Sequence, residues 1–172
     1  IMLFIENFDP RNMYFMNYYF DELLRKSDKL DDDVDVIIDK AHLQTAIIQW
    51  ATGAQLGLGP DRAFTLYLMD HGGGEKFYLN GPSPAVSPDD LDAWLSTLEA
   101  AAPGVRVNVI MEACHSGSFV DSLGKDGRVV IASTGESNLA WSTDLGAVFS
   151  DHFVTGLERG ESLYNSFQAA RW

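Results

Sequence analysis

Short apolar runs alternating with helical patterns organise most of this chain. Ala63-Phe64-Thr65-Leu66-Tyr67-Leu68-Met69 is short, aromatic and aliphatic, as expected of a strand buried on both faces. Val105 to Met111 and Arg128 to Ala132 read as two further strands. Upstream, Leu43, Ala46, Ile47, Trp50, Ala51 and Ala54 recur at helical spacing, predicting an amphipathic helix over 40–54 with Asp39 as N-cap and Gly53 or Gly57 to end it. Between the first two strands, Leu91, Trp94, Leu95 and Leu98 form a second stripe. Ser87 stands as its N-cap, Pro88 at the first helical position and Asp89-Asp90 in the first turn, and Pro103-Gly104 closes it. The result is a strand, helix, strand unit over 63–111, whose crossover is expected to be right-handed and whose strands are expected to be parallel.

Lys76 to Leu79 and Ala85 to Val86, around Asn80-Gly81-Pro82, predict a small hairpin outside the main sheet. A long loop is predicted from Ser133 to Asp144, then helices around Phe149 to Leu157 and Ser162 to Arg171. Ile1 to Ile5 reads as a short buried strand, whereas the aromatic stretch from Phe8 to Phe20 shows no assignable period. Asp28, Asp31-Asp32-Asp33 and Asp35 make an acidic patch. An EF-hand needs Gly at its sixth position, and counting from Asp28 or Asp31 that position is Asp33 or Val36, so a solvated loop is the better reading.

Composition narrows the function classes. The 172 residues, 46% of them hydrophobic, suffice for one domain with a real core. Twelve basic against 25 acidic residues, a net charge of −13, argue against nucleic acid as a partner. No stretch approaches the roughly 20 apolar residues of a membrane span. The single cysteine excludes an internal disulfide framework and a cysteine-built zinc site, which leaves the thiol as buried filler or as a nucleophile. The start at Ile1 and the end at Trp172 read as cuts from a longer chain, with or without an N-terminal strand of the domain.

That cysteine, Cys114, follows an apolar run in Glu112-Ala113-Cys114-His115-Ser116-Gly117-Ser118, and the preceding strand ends in Asp70-His71-Gly72-Gly73-Gly74. Neighbouring parallel strands would bring both ends to one carboxyl edge of the sheet, where α/β proteins place their chemistry. Cys114 is then the candidate nucleophile and His71 its proton donor and acceptor. The glycines after His71 allow a substrate carbonyl to approach backbone N–H groups, so Gly72 and Cys114 are the candidate oxyanion hole. Taken singly, a cysteine or histidine at a strand end is more often structural; the two together favour catalysis. His115 is a rival base, but adjacent residues of an extended segment point opposite ways, which makes it a wall or surface residue. His42 and His152 are read as bystanders.

At these residues the chain resembles the legumain-type cysteine peptidases of clan CD, whose pattern is one strand ending in His-Gly and another ending in Glu-Ala-Cys-x-Ser-Gly-Ser. The likeness runs from about Asp35 to the end, through Leu43 to Trp50, Ser87 to Leu91 and Val129 to Ser133, and is closest to bacterial legumain-like domains. It implies an α/β fold, a caspase-like three-layer α/β/α sandwich with a mostly parallel central sheet. It also implies a His71–Cys114 dyad, a polypeptide substrate cleaved after Asn or Asp through an acyl-thioester, and no metal or organic cofactor. Asp70 matches the family as well. The family's asparagine pocket is matched by Glu112 and by Ser137. Its Arg follows the family's first strand, a region that does not align with Ile1 to Phe20, and its Asp falls at Ala147, so a relaxed or altered P1 preference is the expectation. A non-catalytic scaffold retaining the fold and a peptide ligase are the alternatives. The acidic charge and the likeness to surface and secreted domains favour an extracellular setting; oligomeric state stays open.

Overall fold

The computed structural model describes residues 2–5, 13–16, 39–50, 52–53, 57–79, 85–143 and 146–171, so the acidic patch from Asp28 to Asp35 lies outside the described residues. Strands β1 (Met2–Ile5) and β2 (Met13–Met16) come first, then α1 (Lys40–Thr45), which widens into a π-helical turn over Ala46–Trp50, and β3 (Phe64–Met69). A small sheet of β4 (Gly72–Gly73), β5 (Lys76–Tyr78) and β6 (Ala85–Val86) precedes α2 (Pro88–Ala101) and β7 (Val107–Glu112). A 3₁₀ turn over Ser116–Phe119 leads into α3 (Val120–Leu123) and β8 (Arg128–Ala132). The chain continues through β9 (Ser142–Thr143), β10 (Gly146–Ala147), α4 (Val148–Glu158) and α5 (Leu163–Ala170).

The main sheet has the order β2-β1-β3-β7-β8. Its centre is parallel, as expected: β3 pairs with β7 from Phe64↔Val107 to Met69↔Glu112, and β7 with β8 from Val107↔Arg128 to Met111↔Ala132. The border is not parallel, because β1 runs antiparallel to both β2 and β3. A parallel neighbour needs a crossover, which α2 supplies between β3 and β7, while the few residues between β1 and β2 suffice only for an antiparallel return.

Alternation along β3 and β7 builds the layers. Leu66, Leu68, Val107, Val109 and Met111 face one side, against Leu43 and Ile47, the α2 stripe Leu91, Trp94, Leu95 and Leu98, and Leu123. Tyr67 and Ile110, with Ile131 of β8, face the other, against Phe149, Phe153 and Ala170. There the Phe149 and Phe153 rings stack 5.4 Å apart. The three-layer α/β/α sandwich is therefore a direct consequence of strands apolar on both faces.

Helix α2 begins as its residues predict. Ser87 Oγ accepts the Asp90 N–H at 3.2 Å, Asp90 Oδ2 accepts the Ser87 N–H at 2.9 Å, and Lys40 Nζ reaches Asp90 at 2.6 Å. Burial alone would raise the Asp90 carboxyl, but the bonds from Lys40 and Ser87 bring it below the usual carboxylate range. Along α2, the fully buried Arg128 side chain donates from Nε to Glu99 at 2.6 Å and from Nη1 to Asp92 at 2.7 Å, and it also reaches the Leu123 carbonyl at 3.2 Å. That fork ties α2 to the start of β8.

Two expected elements change. The helix expected over 40–54 keeps its buried Leu43, Ala46 and Ile47 but loosens into the π turn after Thr45; Ala51 and Ala54 lie outside the described residues. The loop expected over 133–144 ends in β9, which pairs antiparallel with β10.

Candidate active site

The ladder between β3 and β7 delivers two chain ends to one edge. Met69 pairs with Glu112, and the Asp70 N–H extends the ladder to the Glu112 carbonyl at 3.2 Å. His71 and Cys114 each stand two residues beyond a paired position, on adjacent parallel strands. His71 is exposed and Cys114 half-buried. Asp70 Oδ1 accepts the His71 N–H at 2.6 Å, which turns the chain at the strand end, and the His71 carbonyl accepts the Tyr78 N–H at 3.0 Å, which opens the β4–β5 hairpin.

Glycine is required where this hairpin crosses the cysteine segment. A Cβ on Gly72 would lie 2.2 Å from the Cys114 carbonyl oxygen and 2.9 Å from Ala113 Cβ, so only a bare backbone fits.

The residues around Cys114 each bind a different neighbour. His115 has φ +61°, a left-handed kink just after the thiol. Its N–H donates to the Asn138 carbonyl at 2.8 Å, and its Nδ1 lies 2.9 Å from the Glu136 carbonyl, to which that nitrogen must donate. The ring is thus turned onto the loop after β8 by a left-handed kink, not by the alternation of an extended segment. Ser116 Oγ lies 3.1 Å from Thr134 Oγ1 and accepts the Thr134 N–H at 3.2 Å, and Thr134 Oγ1 donates to the Ala113 carbonyl at 3.1 Å. Gly117 lets that loop press close, since a Cβ there would stand 2.6 Å from the Glu136 nitrogen. Ser118 Oγ accepts the Glu75 N–H at 2.9 Å and donates to the His115 carbonyl at 2.8 Å.

Glu112 points to the opposite face of the sheet from Met111, only 4% exposed. Its carboxylate accepts the Ser150 N–H at 2.8 Å, the Phe149 N–H at 3.3 Å and the Ser150 hydroxyl, whose oxygen lies 2.6 Å from Tyr67 Oη. Burial pushes this carboxyl above the usual range, and the bonds from Ser150 and Phe149 oppose the shift. Burial raises the Tyr67 phenol likewise. The acid seats on the first turn of α4, where backbone N–H groups and the helix dipole favour negative charge.

Beside Glu112 opens a cavity of about 300 Å³ whose walls include Ser133, Thr134, Asn138, Leu139, Trp141 and Phe149. The buried Ser133 hydroxyl makes no hydrogen bond among the described residues, and no lysine or arginine belongs to these walls. Trp141 is 76% exposed at this cavity. Ser137 lies exposed on the same loop, and neither it nor Asp70 is part of the wall. Of the residues read from the sequence, the edge therefore gathers His71, Gly72, Cys114 and, on the far side of β7, Glu112. The arginine sought in Ile1 to Phe20 lies outside the described side chains. Ser133, Asn138 and Trp141 escaped the sequence reading, although their position just past β8, at the same carboxyl edge, was the available signal. Tyr67 and Ser150 gave no local signal at all. His152 is exposed on α4, and the side chain of His42 is outside those described.

Among the described residues no cluster of three or more His, Cys, Asp or Glu is placed to hold a metal ion, and no helix is long and apolar enough to cross a membrane. Comparison with curated proteins finds no match. Comparison with protein families matches residues 44–171 to the peptidase C13 family, a stretch that includes both strand ends, the Glu112 cavity and every element from β3 to α5. The chain belongs to the peptidase C13 family, the legumain-type cysteine peptidases, enzymes acting on polypeptides.

Proposed function

We propose that this chain is an endopeptidase in which Cys114 is the nucleophile, His71 the general acid and base, Gly72 and Cys114 the oxyanion hole, and the cavity beside Glu112 the P1 pocket. The observation that carries the reading is the shared register: His71 and Cys114 each follow the Met69↔Glu112 pair by two residues. In this mechanism His71 takes the Cys114 proton and the sulfur attacks the scissile carbonyl. The oxygen that gains charge is met by the N–H groups of Gly72 and Cys114, each worth about 3 kcal/mol in comparable acyl transfers. Collapse breaks the C–N bond as His71 protonates the departing amine, leaving an acyl-thioester on Cys114. Water then gives one proton to His71 and attacks the thioester carbonyl, the C–S bond breaks to free the Cys114 sulfur, and the carboxylic acid product leaves and gives its proton to solvent.

The pocket chemistry favours asparagine over aspartate at P1. Glu112 offers a carboxylate to the amide N–H₂ of an asparagine, and the Ser133 hydroxyl and Asn138 amide are the wall groups able to donate to its carbonyl. An aspartate would set a second carboxylate beside Glu112, where burial already disfavours the first.

The test is turnover of fluorogenic peptides with Asn, Asp or Ala at P1, with mass spectrometry of a thiol-reactive peptide probe. Cys114→Ala and His71→Ala should each lower kcat/KM by about 10³-fold or more, and labelling should map to Cys114. Turnover that survives Cys114→Ala would overturn the assignment. A folded wild-type protein with neither turnover nor labelling would support the scaffold reading, and acyl transfer to an added amine in preference to water would support the ligase.

A further inference from the structure

The histidine and the cysteine stand on different strands, and the segments that follow them meet at one hydroxyl. In the hairpin that begins at His71, β5 is held by β6 and by the buried Phe77, whereas β4 pairs with β5 over only two residues, so the turn between β4 and β5 depends on what it rests against. That turn closes at Glu75 with φ +55°, a conformation unfavourable for a residue with a side chain. In that conformation the Glu75 N–H meets Ser118 Oγ at 2.9 Å.

Ser118 in turn belongs to the 3₁₀ turn that follows Cys114, and its hydroxyl proton is committed to the His115 carbonyl at 2.8 Å. Donating there turns the oxygen lone pairs toward Glu75, so one group donates within the cysteine segment and accepts from the histidine hairpin. Gly72, pressed against the Cys114 carbonyl, makes a second contact between the same two segments, but a contact between bare backbones resists approach and not separation. The core beneath is independent of the hydroxyl: Phe119 and Leu123 are buried among apolar side chains whether or not it is present.

We propose that Ser118 is a positioning residue, whose hydroxyl fastens the turn of the His71 hairpin to the Cys114 segment and so sets the separation of imidazole and sulfur. The proposal rests on the His71–Cys114 reading above.

The experiment compares Ser118→Ala and Ser118→Thr with the wild-type chain, measuring kcat and KM separately, the pH profile of Cys114 alkylation by iodoacetamide, and the melting temperature. Small misplacements of reacting groups cost on the order of 10²-fold, so Ser118→Ala should lower kcat by about 10- to 100-fold with KM changed less than about twofold. Its rate of Cys114 alkylation should fall across the profile, because a more distant imidazole accepts the thiol proton less readily. Ser118→Thr, which keeps the hydroxyl, should restore kcat and the profile. Wild-type kcat and alkylation in Ser118→Ala would overturn the proposal, as would a loss that threonine leaves unrepaired in a folded protein. Failure of the dyad itself reads differently: His71→Ala would then keep wild-type turnover and alkylation, and the proposal would fall with it.

Discussion

Gly72 and Gly117 show how a single missing side chain shapes the site. Each lets one backbone press on another, Gly72 on Cys114 and Gly117 on the loop at Glu136. A methyl group at either place must displace backbone, which neighbouring side chains cannot absorb. Gly72→Ala is expected to cost about 1–3 kcal/mol in urea unfolding and to lower kcat/KM at least about tenfold, since the shift falls on the nucleophile. Gly117→Ala is expected to cost about as much stability. The requirement for glycine after His71 was legible as open space for a substrate carbonyl. That its own backbone lies against Cys114 depends on a contact across more than forty positions of chain, which no local pattern encodes.

Among the elements, the cap of α2 was legible and the partners of Arg128 at the start of β8 were not. The capping box at Ser87 and Asp90 is local, its donors and acceptors three residues apart, and Ser87→Ala should cost about 1 kcal/mol in denaturant midpoint. Arg128, by contrast, reads as an ordinary first residue of a strand, yet its buried fork binds Glu99 and Asp92 of α2. Burial alone would raise the Glu99 carboxyl, but the bonds from Arg128 and Lys125 hold it below the usual glutamate range. A lowered carboxyl contributes stability that is present above the unfolded-state pKa and lost as pH falls through the folded one. Glu99→Gln should therefore be less stable at neutral pH, by about 1.5–3 kcal/mol for a bond to a charged group, and the gap to wild type should close in acid. Thermal melts between pH 7 and 3 measure this; a gap constant across that range would contradict it.

At the scale of the whole molecule, the sheet divides two apolar layers that do not share side chains. Ile47 packs in the layer of α1 and α2, and Ile131 in the layer of α4 and α5. Ile47→Val and Ile131→Val should each cost about 0.5–1.5 kcal/mol. The double variant should lose their sum within about 0.5 kcal/mol, as expected of sites without common neighbours. Coupling well beyond that in chemical denaturation would mean that the sheet transmits strain between the layers.

Taken alone, the sequence determined whatever is local or periodic: strands apolar on both faces, amphipathic helices, the cap of α2, and the emergence of His71 and Cys114 at strand ends on one parallel edge. Short-range sterics and burial operate within a few residues, so such features are written where they act. Only the tertiary structure decided the antiparallel direction of β1, the seating of Glu112 on α4 through Ser150 and Tyr67, the entry of Ser133, Asn138 and Trp141 into the cavity wall, and the meeting of Glu75 with Ser118. These are pairings between segments distant along the chain, each set by how layers and loops close upon one another, and a polar residue carries no mark of its partner until the chain has folded.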